Sequence, residues 1–293
     1  MSDSFFELLN DTDEKNLVDF ILKEQVKLTG LCVNKIKEKT ENIFDVMIDS
    51  VIRGTTSNEK SRSGLSGFSA KCLSDYSDNP FLSRFCAKAL YYSVAVAEEN
   101  ARMGKIAACP TAGSSGIIPG VFVSYYEEFS PDKADMVNAL IVSGEIGRII
   151  ALKVAPAGAV AGCHAECGTA AAMAAGGLCY LQKCNLDTII NSVALTVKNV
   201  LGLTCDPVAG LVEVPCIKRN AYLAQCAITS FHLASSGMKS IIPADECIDA
   251  MAETGAIMSP KLKESSEAGL AVTKTGIRIK DELYKTFGVK NCL

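Results

Sequence analysis

Thr169-Ala170-Ala171-Ala172-Met173-Ala174-Ala175-Gly176-Gly177 is a run of almost wholly small residues, followed by Leu178 and Cys179. A helix with so little side-chain bulk lets its neighbours pack closely against its backbone, as the centre of an all-helical domain requires. This segment sets the fold expectation: all-α. Glu166 and Lys183 bound the apolar stretch at too short a distance for a membrane span.

Working outward, helical periodicity dominates. Thr12, followed by Asp13 and Glu14, reads as a helix N-cap with an acidic first turn, leading through Leu17, Phe20 and Ile21 to a stop at Gly30. Ile43, Phe44, Met47 and Val51 share one face of a second helix ending near Arg53-Gly54. Further helices are predicted over about 79–103, 132–152, 186–202, 217–239 and 244–258. Residues 55–69 are too polar and glycine-rich for either element and read as a loop or mobile lid. No strand-length alternation and no internal repeat stands out. The expectation is one helical domain over 1–293, ending in a tail at 288–293.

Hydrophobic residues make up 48% of the 293 positions and charged residues 21%, so the chain is globular. A net charge of −4 gives no reason to expect nucleic acid or an anionic membrane as partner. No leader or spanning run is visible, and the expected compartment is the cytoplasm.

Thirteen cysteines are many for such a chain. In a reducing compartment clustered thiols point to metal or catalysis. Cys32, Cys72, Cys86, Cys179, Cys184, Cys226 and Cys247 lie in helical patterns and read as small buried apolar residues. Cys163, Cys205 and Cys216 differ: Gly162 precedes the first, Asp206-Pro207 follow the second, and Pro215 precedes the third. Glycine and proline force irregular backbone, from which a thiolate can point into a cavity. Three thiolates can hold an iron–sulfur cluster while leaving one iron without a protein sulfur, a Lewis acid with an open position. The separations, 42 and 11 positions, fit neither zinc knuckles nor tandem ferredoxins. A zinc site would need a fourth ligand such as His164 or Cys292.

Cys109-Pro110-Thr111-Ala112-Gly113-Ser114-Ser115-Gly116-Ile117-Ile118-Pro119-Gly120 connects two helical segments. Its glycines let backbone N–H groups, with the hydroxyls of Thr111, Ser114 and Ser115, turn toward a small carboxylate. The pattern is not that of a nucleotide loop. His164 directly follows a candidate ligand and can move a proton; Glu166 either orients it or takes the proton itself. His232, between Phe231 and Leu233, reads as a core histidine. Lys218 and Arg219 suit a substrate carboxylate, and Asn220 can donate to the same ligand.

These segments resemble the α subunit of bacterial iron–sulfur-dependent L-serine dehydratase. The resemblance is carried by Cys109–Gly120, Gly162–Gly168 (GCHAECG) and Leu201–Ala221 (LGLTCDPVAGLVEVPCIKRNA), and extends to Ser63–Lys71, Ala97–Gly104, Pro243–Met251 and Gly269–Gly276. It implies an all-helical domain, a [4Fe–4S] cluster on Cys163, Cys205 and Cys216, and conversion of L-serine to pyruvate and ammonia. Cys292, by analogy with two-domain relatives, would fold back onto the free iron as a fourth ligand. A separate β subunit would form a hetero-oligomer with this chain. The chain departs from the family in carrying His164 where glutamine is usual, Cys167 where an apolar residue is usual, and Leu152–Ala157 where Asn and Ser are usual.

The expected mechanism masks the substrate carboxylate with the Thr111–Ser115 loop, Gly113 included, and with Lys218 or Arg219. His164 is the first choice of base and Lys71 the second; Lys71 would need burial to be neutral near pH 7. The rival readings are a related cysteine desulfidase, releasing sulfide from L-cysteine, and a non-enzymatic iron–sulfur redox sensor.

Overall fold

The computed structural model of the chain describes residues 2–11, 17–76 and 78–287. In chain order its helices are α1 (Phe5–Asp11), α2 (Leu17–Thr29), α3 (Val33–Thr56), α4 (Ser69–Asp75), α5 (Arg84–Ala101), α6 (Ile117–Phe129), α7 (Lys133–Lys153), the short α8 (Gly158–Ala161), α9 (Cys163–Leu181), α10 (Leu186–Lys198), α11 (Cys216–Ser235), α12 (Ala244–Ile257) and α13 (Lys274–Phe287). Among the described residues there is no β-strand, only one isolated parallel bridge between Cys205 and Lys263. The architecture is all-α, as the sequence led one to expect.

The small-residue run lies within α9, and α6, α7, α10 and α11 pack around it. Every residue from Cys167 to Cys179 is buried. A Cβ added at Gly177 would stand 2.4 Å from Phe122 Cζ and 2.4 Å from Ser143 Oγ, so α6 and α7 reach this backbone only because the residue has no side chain. Ser143 Oγ donates to Met173 O at 2.8 Å, satisfying the hydroxyl that this approach buries. The flanking helices bring Phe122, Ile146, Ile149, Ile150 and Ile189 into the same core. Each such side chain contributes about 1.5–3 kcal/mol on burial.

Local chemistry sets the helix ends. Gly30, at φ +69°, ends α2. The Ser83 side chain accepts from Cys86 N and the Asn185 side chain from Thr188 N, starting α5 and α10. The Ser83 cap moves the start of α5 in from the expected 79. Ile117–Gly120 belong to α6 and not to the loop before it. The short helices α1 and α4, and α13, were not foreseen. The Thr12–Glu14 cap and the tail 288–293 lie outside the described residues.

Of the loop or lid expected over 55–69, residues 57–68 lie between α3 and α4, and side-chain hydrogen bonds fasten them. The hydroxyls of Ser63 and Ser66 donate to the two carboxylate oxygens of the buried Glu213. The following helix is anchored by Glu98 of α5, which accepts from Ser69 N at 2.9 Å and Ala70 N at 3.3 Å. Of the cysteines assigned to the core, Cys179 and Cys247 are buried, whereas Cys32 and Cys72 are exposed. His232 is also exposed, its ring beside Phe231, and is no core histidine. No helix among the described residues is long and apolar enough to cross a membrane.

Candidate metal centre

The first turns of two long helices and one irregular segment meet at a cavity of about 260 Å³. Cys163 is the first residue of α9 and Cys216 the first of α11. The sequence suggested irregular backbone for all three thiols, and only Cys205 has it. A helix start suits a thiolate as well, because the unpaired N–H groups and the macrodipole favour negative charge there. Residues three and four apart share a helix face, so Glu166 and Cys167 line the cavity with Cys163. Cys205 and Cys216 line it too.

Cys205 is brought to Cys163 by backbone pairing on both sides. His164 N donates to Leu203 O at 2.9 Å, and Gly202 N donates to His164 Nδ1 at 3.2 Å. Beyond it, Cys205 N donates to Leu262 O at 2.8 Å and Glu264 N donates to Cys205 O at 2.7 Å. Ligand atoms of Cys163, Glu166 and Cys205 consequently lie within 4.8 Å of one another, a group able to hold a metal ion. An added Cβ at Gly158 would meet Cys205 Sγ at 2.8 Å, and one at Gly113 would meet Glu166 Oε1 at 2.6 Å. Both walls therefore need glycine.

Charge is arranged around Cys163. The thiols of Cys167 and Cys205 and the guanidinium of Arg219 all favour its ionised form, holding its pKa far below the ordinary thiol range. Cys167 and Cys205 beside it are pushed up, first by that shared hydrogen bond to Cys163 and then by burial. Burial raises Glu166 to about 7, and the nearby Cys163 thiolate adds to the rise while Thr111, whose hydroxyl donates to Glu166 Oε1, opposes it. Glu264, on the exposed rim, is also raised by burial of part of its carboxyl.

The residues expected to bind substrate divide in two. Thr111 and Gly113 line the cavity; Ser114, Ser115, Lys218, Arg219 and Asn220 are not among its lining. Ser114 Oγ donates to Cys109 O at 3.2 Å and Ser115 Oγ to Ala112 O at 2.7 Å, so these hydroxyls hold the loop's own shape. Asn220 ties the loop to α11: it accepts from Gly116 N at 2.9 Å and donates to Gly113 O at 2.8 Å and Cys216 O at 2.9 Å. Arg219 donates to Asp206 Oδ1 and Thr204 O, each at 2.7 Å, and to Cys163 Sγ at 3.5 Å. Its charge is committed to the Cys163 sulfur and to the Cys205 segment. Lys218 is exposed.

Neither expected base faces the cavity. His164 is wholly buried but lies about 100° round the helix from Cys163, with its ring on the Gly202 amide. Burial lowers its pKa, and through Nδ1 the ring acts as a strap for the Cys205 segment. Lys71 is exposed on α4 and is not among the residues lining the cavity. Glu166 and Glu264 are the carboxylates at the cavity. Glu166 is within one helical turn of Cys163 in the sequence; Glu264 comes from a distant segment that no local pattern connects to the cysteines. Cys292 lies outside the described residues.

The donor set is soft sulfur with the carboxylates of Glu166 and Glu264 beside it, which suits an iron–sulfur cluster or zinc better than a hard cation. The chain matches the family model "Serine dehydratase alpha chain" over residues 12–271. It is 36% identical to the L-serine dehydratase alpha chain of Peptoniphilus asaccharolyticus over 283 residues, covering 95% of this chain and 97% of that one. It is likewise 36% identical to the probable L-serine dehydratase alpha chain of Bacillus subtilis over 282 residues, covering 95% and 94%. A longer L-serine dehydratase of Streptomyces coelicolor is 42% identical over 184 residues, 62% of this chain and 40% of that one. The chain belongs to the serine dehydratase alpha chain family.

Proposed function

We propose that this chain is the alpha subunit of an L-serine dehydratase, converting L-serine to pyruvate and ammonia with a [4Fe–4S] cluster held by Cys163, Cys205 and Cys216. The convergence of those three residues on one cavity that also holds a carboxylate raised to about 7 carries the reading. Family membership and the printed names of the relatives support it. When bound, the cluster would supply a Lewis acid at the iron lacking a protein sulfur.

The chain's own residues supply the rest. Glu166, near neutral in pKa and within the cavity, takes the Cα proton of the substrate or returns one to the leaving hydroxyl. Thr111 orients that carboxyl through its hydroxyl, and Thr111 and Gly113 form the wall against which the substrate carboxylate rests. Arg219 steadies Cys163 as a thiolate and keeps the Cys205 segment in place. Loss of water from serine leaves aminoacrylate, whose tautomer hydrolyses to pyruvate and ammonia. Ala112 and Glu264 are exposed at the cavity rim, and a separate beta chain covering them would exclude water there.

The test is anaerobic purification, iron and sulfide analysis, and pyruvate release from L-serine with and without a co-expressed beta chain. Four irons and four sulfides per chain with serine-dependent pyruvate are expected. Retention of full cluster and turnover in Cys163→Ala, Cys205→Ala or Cys216→Ala proteins would contradict the assignment.

A further inference from the structure

Cys167 is the one thiol in this cavity for which the proposed function has no use. It stands one helical turn beyond Cys163 on the same face of α9, 3% exposed, and lines the cavity together with Cys163, Cys205 and Cys216. Its thiol is within hydrogen-bonding reach of the Cys163 sulfur. The other fully buried thiol of α9, Cys179, sits in the apolar core and does not line this cavity. The cavity therefore presents four sulfurs, and four thiolates are the ordinary complement of a [4Fe–4S] cluster. Positions four apart on a helix hold their Cβ atoms about 5–6 Å apart, a spacing that lets each sulfur face a different corner of one cluster.

Resting on the cluster assignment above, we propose that Cys167 is the fourth thiol ligand in the substrate-free protein, occupying the iron that Cys163, Cys205 and Cys216 leave without sulfur. Ligation releases the Cys167 proton. L-serine must then displace this sulfur, which regains a proton on leaving; no electron is transferred. Substrate entry in this chain is a ligand exchange, governed by a residue inside the core and not by the chain terminus.

The experiment is Mössbauer spectroscopy of the full-length protein purified anaerobically with 57Fe, without and with L-serine. Wild-type protein without serine is expected to show four sulfur-coordinated irons, and serine to make one in four distinct. Cys167→Ala is expected to show that distinct iron before serine is added, whereas Cys292→Ser should match wild type. Cys167→Ser, which retains the side chain's size, should also give one distinct iron and covers the case in which the alanine protein does not fold. A distinct iron already present in serine-free wild type and unchanged by Cys167→Ala overturns the proposal alone. So does a distinct iron produced by Cys292→Ser and by neither Cys167 variant. A wild-type protein that binds no iron and sulfide overturns the proposed function along with it.

Discussion

Arg219 Nη2 and Asp206 Oδ1 are 2.7 Å apart in an ion pair whose side chains are 15% and 6% exposed. Asp206 Oδ2 meanwhile accepts from Leu270 N at 2.8 Å, so this one pair joins α11, the Cys205 segment and residues near the start of α13. Removing the cation leaves a buried carboxylate with no counter-charge, which costs about 3–5 kcal/mol. Arg219→Ala is expected to lose stability on that scale in urea unfolding and to lose cluster content with it. Arg219→Lys should keep most of the charge and lose the second donor. If the residue instead bound substrate directly, the lysine protein would hold a full cluster and raise only KM.

Glu166→Gln keeps the size of the side chain and an oxygen to accept from Thr111, but removes the group that moves a proton. The expected result is a fall in kcat of roughly 10²–10⁴-fold with iron and sulfide content unchanged. Loss of the cluster instead would assign Glu166 to ligation.

The raised Glu166 carboxyl also has a signature in the cluster-free protein. Its ordinary value is 4.5 and burial lifts it to about 7. A raised folded pKa contributes stability that is complete below the unfolded value and is lost as pH rises through the folded one. The depressed Cys163 thiol acts in the opposite sense over the same range. Comparison of wild type with Glu166→Gln cancels most of that second effect. Wild type should lose of order 2–3 kcal/mol relative to the variant between pH 4.5 and 7.5, read from urea midpoints.

His164→Gln is expected to retain activity within a few-fold, since a glutamine oxygen can accept from Gly202 N as Nδ1 does. A hundredfold loss with intact cluster would return His164 to the role of base.

Gly177→Val should destabilise the fold by about 1–3 kcal/mol or more, with a lowered thermal midpoint, because its Cβ alone would stand 2.4 Å from Phe122 Cζ.

The helical core was legible because α9 announces itself: a run of small residues has few stable uses other than close helix packing. That Cys163, Cys205 and Cys216 would share a cavity was legible, but the irregular backbone expected from the adjacent glycine and proline holds only for Cys205, the other two opening helices. The roles of Arg219 and Asn220 were not legible, since a side chain next to a candidate ligand reads as substrate-binding until its partners are seen. Asp206 and Gly116, which engage them, lie 13 and 104 positions away. His164 misled for a related reason. Adjacency to Cys163 in the chain means a different helix face, and the helical start at Cys163 was hidden by the preceding glycine. Glu264 depends on the backbone pairing of 262–264 with Cys205, which no sequence period encodes.

One helix thus serves as keel and anchorage: α9 bears two cavity-lining sulfurs within its first two turns and the packing of its neighbours along the remainder. Copies lacking the proposed cluster would loosen first and reach a protease soonest.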